Sequence, residues 1–402
     1  MRKTSLKITV LVGAAALVAL SACSNSKKDS GGLGSGGGGS SSGSNSSGGT
    51  YTIAFEGPLS GDNQQLGINE VNATELAINQ ANAKGDLGFT LKLLKADDVG
   101  DPSKAPAAAA QVLQDNTVMG VIGPSFSGAT KAVGDTYGEA GLAFITPSAS
   151  NGTLQTLGFK TFHRVIPNDN VEGTQGADWL ARKGIKKVFV VDDQSDYGKG
   201  VADALEKELK AKGVATTRQG VDAKTTDYGA IAQTVKSSGA GALFYGGYDA
   251  QAALFAKALK AVNFTGITAG GNGVKSSVFT KGAGDAGNGW YFTCGCLDAT
   301  IAPNAKQFTA DYTKAYNTPP STYSPEAFDA TNALIQAIKA AKQAGQVTRA
   351  TVEDQVNKVD YQGITTEVKF GSNGEPGGTT TVSLYTQKNG EIVSVGLLKD
   401  QN

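Results

Sequence analysis

Few residues in this chain of 402 could do covalent or metal chemistry. His163 is the one histidine, and Cys23, Cys294 and Cys296 are the three cysteines. That poverty excludes a histidine-rich zinc site. A Ser-His-Asp triad would have to recruit His163 from the strand-like stretch Phe162-His163-Arg164-Val165. From residue 51 on no Gly-X-Ser-X-Gly elbow is present, and Gly123-Pro124-Ser125-Phe126-Ser127 ends in serine. Cys294-Gly295-Cys296 admits three readings: a tight disulfide, a redox pair or a metal clip. No further cysteine or histidine is at hand to complete a metal site, so neither metal nor cofactor is expected.

What remains is the chemistry of capture. Ser127 precedes Gly128-Ala129-Thr130 at an expected helix start. A hydroxyl and free backbone N–H groups there form a site for a carboxylate; the alternative is a plain capping serine. Ser148-Ala149-Ser150 is a loop of small residues after a strand, which lets backbone groups approach a ligand closely. A turn forced by Pro147 would look the same. Tyr197 and Tyr248 each follow a strand-like run, and taken singly they read as packing residues.

The elements that must carry these residues alternate. Tyr51–Phe55, 91–94, 118–122 and 142–145 read as strands. Thr74, Ala77, Ile78 and Ala81 fall on one helix face, with Gly85 placed to end it. The pattern restarts after His163. Val188–Val191 and Ala242–Tyr245 read as buried strands. Val201, Leu205 and Leu209, stopped at Gly213, and Leu254, Ala258 and Ala261 mark helix stripes. A long helix is expected around Phe328, Ile335 and Ile338, followed by turn-rich strands at 371–374 and 381–385. The class is therefore α/β: two doubly wound lobes with mostly parallel sheets. Ligands on such sheets bind at the carboxyl ends of the strands, and two facing lobes put those ends across a cleft.

The N-terminus reads as an address. Arg2, Lys3 and Lys7 precede an apolar run from Ile8 to Leu20, too short to span a bilayer comfortably. Leu20-Ser21-Ala22-Cys23 resembles a bacterial lipobox, so residues 1–22 are expected to be a signal peptide and Cys23 the lipid anchor. Residues 23–50, mostly Ser, Gly and Asn, form a tether that cannot bury enough apolar surface to order itself. Lys+Arg and Asp+Glu both number 36, and no basic stripe with interleaved aromatics appears, so nucleic acid is not an expected partner.

Several short motifs stand in order: Gly57-Pro58-Leu59-Ser60-Gly61, Ala96-Asp97-Asp98, Val121-Ile122-Gly123-Pro124, Ser127-Gly128-Ala129-Thr130, 145–150, Asp196-Tyr197-Gly198-Lys199-Gly200, Tyr245-Gly246-Gly247-Tyr248, and Tyr323 with Phe328-Asp329-Ala330. Together they resemble the branched-chain amino-acid (Leu/Ile/Val-type) binding proteins of ATP-driven importers, over essentially all of 51–402. The resemblance implies a type I periplasmic-binding fold. It places residues 51–165 with about 297–363 in one lobe, and 166–296 with about 364–402 in the other. It also implies a ligand held by Ser127, Ser148, Ala149, Ser150, Tyr197, Tyr248 and Asn272, an importer permease as partner, a monomer, and no catalysis. Cys-X-Cys pairs in some relatives favour a structural Cys294–Cys296 disulfide.

Two departures bear on the ligand. Asn272, within Gly270-Gly271-Asn272-Gly273-Val274, stands where such binders typically carry an acid that pairs with an α-ammonium. Leu66 stands where they often carry an aromatic near the pocket mouth. Either another acid substitutes, or the ligand is a carboxylate without an amine, an amide or urea, or a weakly bound amino acid. A ligand sensor of the same fold, an extracellular hydrolase and a structural surface lipoprotein are the competing functions.

Overall fold

The computed structural model describes residues 48–378 and 381–401. The expected signal peptide, Cys23 and the tether up to residue 47 lie outside the described residues. Among the described residues no helix is long and apolar enough to cross a membrane.

The first half runs β1 (Thr50–Gly57), α1 (Gln64–Lys84), β2 (Thr90–Asp97), α2 (Ala105–Gln114), β3 (Val118–Ile122), α3 (Ser127–Glu139), β4 (Phe144–Thr146) and β5 (Phe162–Arg164). Its strands form one parallel sheet in the order β2-β1-β3-β4-β5. Alternation along β1 explains the two-sided cover. Ile53 and Phe55 join the core that contains Val71, Ile78 and Leu334, while Ala54 joins Ala109, Val112 and Val133 on the other face. Helix α1 carries the expected stripe and ends with Gly85 in the left-handed region, φ 71°.

The second half repeats the scheme with α4 (Asp169–Arg182), β6 (Lys187–Asp192), α5 (Asp196–Ala211), β7 (Ala215–Gly220), α6 (Gly229–Ser237), β8 (Ala242–Gly246), α7 (Asp249–Ala261), β9 (Ile267–Gly270), α8 (Ser277–Ala283) and β10 (Tyr291–Cys294). Val188 and Val190 enter one core, Phe189 and Val191 the other. A strand apolar on both faces is what a doubly covered sheet requires.

The chain then returns to the first sheet. Helices α9 (Lys306–Tyr316), α10 (Ser324–Gln343) and α11 (Arg349–Val356) and the short hairpin β11 (Asp360–Gln362) and β12 (Glu367–Lys369) follow. It finishes on the second sheet as β13 (Ser383–Lys388) and β14 (Glu391–Leu397). That sheet is ordered β14-β13-β10-β9-β8-β6-β7, parallel except at β13 and β14. The last transfer of chain falls later than the expected position near 363. Val368 and Phe370 still pack in the first-sheet core, and Arg164 N–H still donates to Gly374 O. The turn-rich composition of 371–382 hides the boundary from the sequence. The terminal strand likewise starts at Ser383 rather than residue 381.

Candidate functional site

Both sheets share the order 2-1-3-4-5 along their parallel strands, so each has a switch point where neighbouring connections leave in opposite directions: β1/β3 in the first and β6/β8 in the second. The loops beyond these ends meet. Ser125, Phe126, Ser127 and Ser148 come from the first lobe, Tyr197, Tyr248 and Asn272 from the second, and Tyr323 from the start of α10; together they enclose one cavity. The void they leave is about 10 Å³, room for about one water molecule. A separate cavity of about 170 Å³ lies by Val165, Pro167 and Cys296, among the segments that join the lobes.

Ser127 begins α3, and the capping position falls to Phe126. Its hydroxyl is thus not spent on its own helix: Oγ accepts from Asn151 N–H at 3.1 Å, tying the helix start to the Ser148–Asn151 loop. That loop is fixed by Thr146 Oγ1, which accepts from Ala149 N–H at 2.9 Å, and by the Ser148 hydroxyl, which donates to Ser125 O at 2.7 Å. Beneath it, Ser125 donates to Glu70 Oε2 at 2.6 Å. Burial pushes the Glu70 carboxyl up to about 8, against the pull of that hydroxyl.

In the second lobe the Tyr197 and Tyr248 rings lie 5.2 Å apart. Tyr197 Oη accepts from Gly273 N–H at 3.0 Å. Tyr248 stacks on Phe126 of the first lobe, centroids 4.2 Å apart. Asn272 is buried and bridges the lobes: its Nδ2 faces Ser150 Oγ at 3.3 Å, and its Oδ1 accepts from the Tyr323 hydroxyl at 2.9 Å. Ala149 and Ser150 are buried beside the cavity without appearing in its lining.

An acid does stand behind Asn272. Glu172, in the first turn of α4, accepts from Asn272 N–H (3.0 Å), Asn272 Nδ2 (2.6 Å) and the Thr293 hydroxyl (2.7 Å). Burial, and then the neighbouring Asp169, push its carboxyl up to about 8. Sequence reasoning missed Glu172, because an acid in a first helical turn reads as a partner of the helix dipole. It also left Tyr323 and Phe126 out of the site. The φ of +69° that aims Tyr323 has no sequence signal.

Elsewhere, His163 is buried on β5 with Nε2 at 3.1 Å from Glu353 Oε1, and it does not line the cavity. Among the described residues no cluster of His, Cys, Asp and Glu could hold a metal ion. The Cys294 and Cys296 sulfurs lie 1.98 Å apart at the end of β10. Gly295 between them faces Pro167 so closely that a Cβ would come within 2.2 Å of its ring. Any side chain there would push against that ring.

Residues 50–391 match the periplasmic binding protein family. The chain belongs to that family. A Leu/Ile/Val-binding protein from Rhizobium johnstonii is 30% identical over 348 residues, 85% of this chain and 93% of the relative. A leucine-, isoleucine-, valine-, threonine- and alanine-binding protein from Pseudomonas aeruginosa is 31% identical over 247 residues, 61% of this chain and 66% of that protein. The branched-chain amino acid transporter substrate-binding protein of Streptococcus pneumoniae, solved in complex with isoleucine, superposes with a TM-score of 0.79 at 25% identity, covering 87% of this chain and 99% of that one. The family relationship bears out the type I two-lobed α/β expectation and the solute-binding class.

Proposed function

We propose that this chain is the extracytoplasmic solute-binding lipoprotein of an ATP-driven importer, which captures an amino acid or a related small polar ligand between its lobes. The observation that carries the reading is the convergence of Ser127, Ser148, Tyr197, Tyr248 and Asn272 on one cavity, from opposite lobes, at the carboxyl ends of the strands. A ligand carboxylate meets the α3 N-terminus and its free N–H groups. The tyrosine rings cover the apolar part of the ligand. Hinge closure then presents one shape to a permease.

Serine and tyrosine hydroxyls and the Asn272 amide line the cavity, groups suited to hold a polar ligand. Lipidated Cys23 fixes the protein to the outer face of the cytoplasmic membrane. The Cys294–Cys296 disulfide staples the second sheet next to the lobe connections.

A thermal-shift screen of the mature protein tests this, using branched-chain and other amino acids, short carboxylates and amides. A ligand that binds only the native state raises the melting temperature, by about 2.7 kcal/mol of stabilisation at a hundred times Kd. The ligand should be recovered unchanged. A protein that folds and yet responds to no member of the panel would sink the reading.

A further inference from the structure

Two consecutive residues of the first lobe grip two residues of the second. Tyr323 donates to Asn272 Oδ1 at 2.9 Å, and the Thr322 hydroxyl donates to the backbone oxygen of Lys275 at 2.5 Å. Thr322 is anchored on its own side, because its carbonyl accepts from Asn69 Nδ2 of α1. Lys275 is anchored on the other: its N–H donates to Asn272 O, and Ser276 after it caps α8. The contact at Lys275 thus adjoins the ligand cavity and belongs to the closed arrangement of the lobes.

Among the described residues Lys275 is the only buried lysine, and its charge is poorly compensated. An ammonium has three N–H donors. At Lys275 one reaches Thr322 Oγ1, at a long 3.3 Å, and the Tyr385 ring stands 4.3 Å from Nζ. Among the described residues no carboxylate pairs with it; Asp298 and Glu326 act from farther away. Asp298 Oδ1 is spent on the turn at Thr300, and burial pushes the Glu326 carboxyl up to about 7. One long hydrogen bond and an aromatic face return less than the desolvation of an ammonium costs. Burial accordingly pushes Lys275 below the ordinary lysine range, against the pull of Asp298 and Glu326.

We infer that Lys275 is a brake on lobe closure: its buried charge opposes the closed form until a ligand fills the cavity. This rests on the solute-binding reading above and adds a regulation of the same site. When the lobes part, Thr322 leaves with the first lobe and water reaches the ammonium. Ligand contacts with both lobes then offset its desolvation on closing. An importer that docks the closed shape is thereby spared empty copies.

Small-angle scattering on the mature protein without ligand reads the equilibrium between open and closed forms. Lys275→Met keeps an unbranched side chain and removes the charge, so its radius of gyration should fall below the wild type's. Lys275→Gln, neutral but polar, should move the same way. Lys275→Arg keeps the charge and should stay at or above the wild-type value. Calorimetry with L-leucine, L-alanine and propanamide gives a second readout. Each probe that the wild type binds should bind Lys275→Met about tenfold tighter and Lys275→Arg no tighter. Urea melts confirm that the variants fold, and Lys275→Met should be at least as stable as the wild type. An unchanged or larger radius in both neutral variants, or weaker binding by them, overturns the inference, because the lysine is then a latch or plain packing. Equal shrinkage in Lys275→Met and Lys275→Arg overturns it too, since shape and not charge would be the cause. If the folded wild type binds no probe, the solute-binding reading falls, and scattering still decides whether the Lys275 charge holds the lobes apart.

Discussion

The Phe126 ring of the first lobe lies on the Tyr248 ring of the second, centroids 4.2 Å apart and planes 20° apart. Phe126 is buried and held in place: Gly100 approaches so closely that a Cβ there would meet the ring at 2.7 Å, and Leu66 packs in the same cluster. The stack occupies the aromatic end of the cavity. Phe126→Ala should therefore open space for larger aliphatic side chains and shift ligand preference upward in size. It should also cost about 3 kcal/mol of stability, as buried phenylalanine truncations do. Competition calorimetry across alanine, valine and leucine, with a urea melt, reads both effects. An unchanged order of preference would show that the ring does not bound the ligand.

Ser127→Ala should weaken ligand binding about tenfold or more while costing only about 1 kcal/mol of folding stability. The hydroxyl accepts one backbone N–H, from Asn151, and its loss leaves that donor without its partner. A hydroxyl used only for folding would produce the stability loss with no loss of affinity, and paired calorimetry and denaturant melts separate the two.

The parts legible in the sequence were those that repeat or that obey a local rule. The two-sided apolar strand 188–191 and the stripe through Leu205 and Leu209 announce a covered sheet, and the structure places them so. Ser127 was legible as a helix start because Gly128 and Thr130 follow it. The supporting shell was not legible. Glu172 meets Asn272 across 100 residues of sequence, and Tyr323 meets it across 51. Phe126 was overshadowed by the serine beside it. Long-range partners are set by how the loops of two sheets face each other, which no local pattern records.

The lobes are also tied outside the cavity. Asn63 Nδ2, at the entry to α1, donates to Asp249 Oδ1 at 2.6 Å, while Asp249 Oδ2 accepts from the Ser276 hydroxyl at 2.5 Å. Asn63→Ala removes the tie between lobes and leaves Asp249 capped within its own. The closed form should lose about 1 kcal/mol, so ligand should bind about fivefold more weakly. Small-angle scattering should show a larger radius of gyration without ligand and the wild-type value at saturation. The exposed Lys131–Asp196 pair, 2.7 Å apart, spans the same mouth, and Lys131→Ala should change little.

Several buried carboxyls set how stability changes with pH. Burial pushes Glu56, Glu70 and Glu172 up to about 8, and Asp98 and Asp169 up to about 7. In the unfolded chain such groups titrate near about 4. Between these values the folded protein holds protons that the unfolded chain has released, so stability falls as pH rises. Their contribution is fully present below about pH 4 and is lost as pH rises through about 7 to 8. Urea melts from pH 5 to 9 should show a continuous decline in unfolding free energy. Glu70→Gln keeps an oxygen to accept from Ser125 and removes a titrating group, so its profile should be shallower than the wild type's across the same range. A wild-type profile that is flat from pH 5 to 9 would mean that these carboxyls are already ionised in the fold, held by the hydroxyl and amide donors around them.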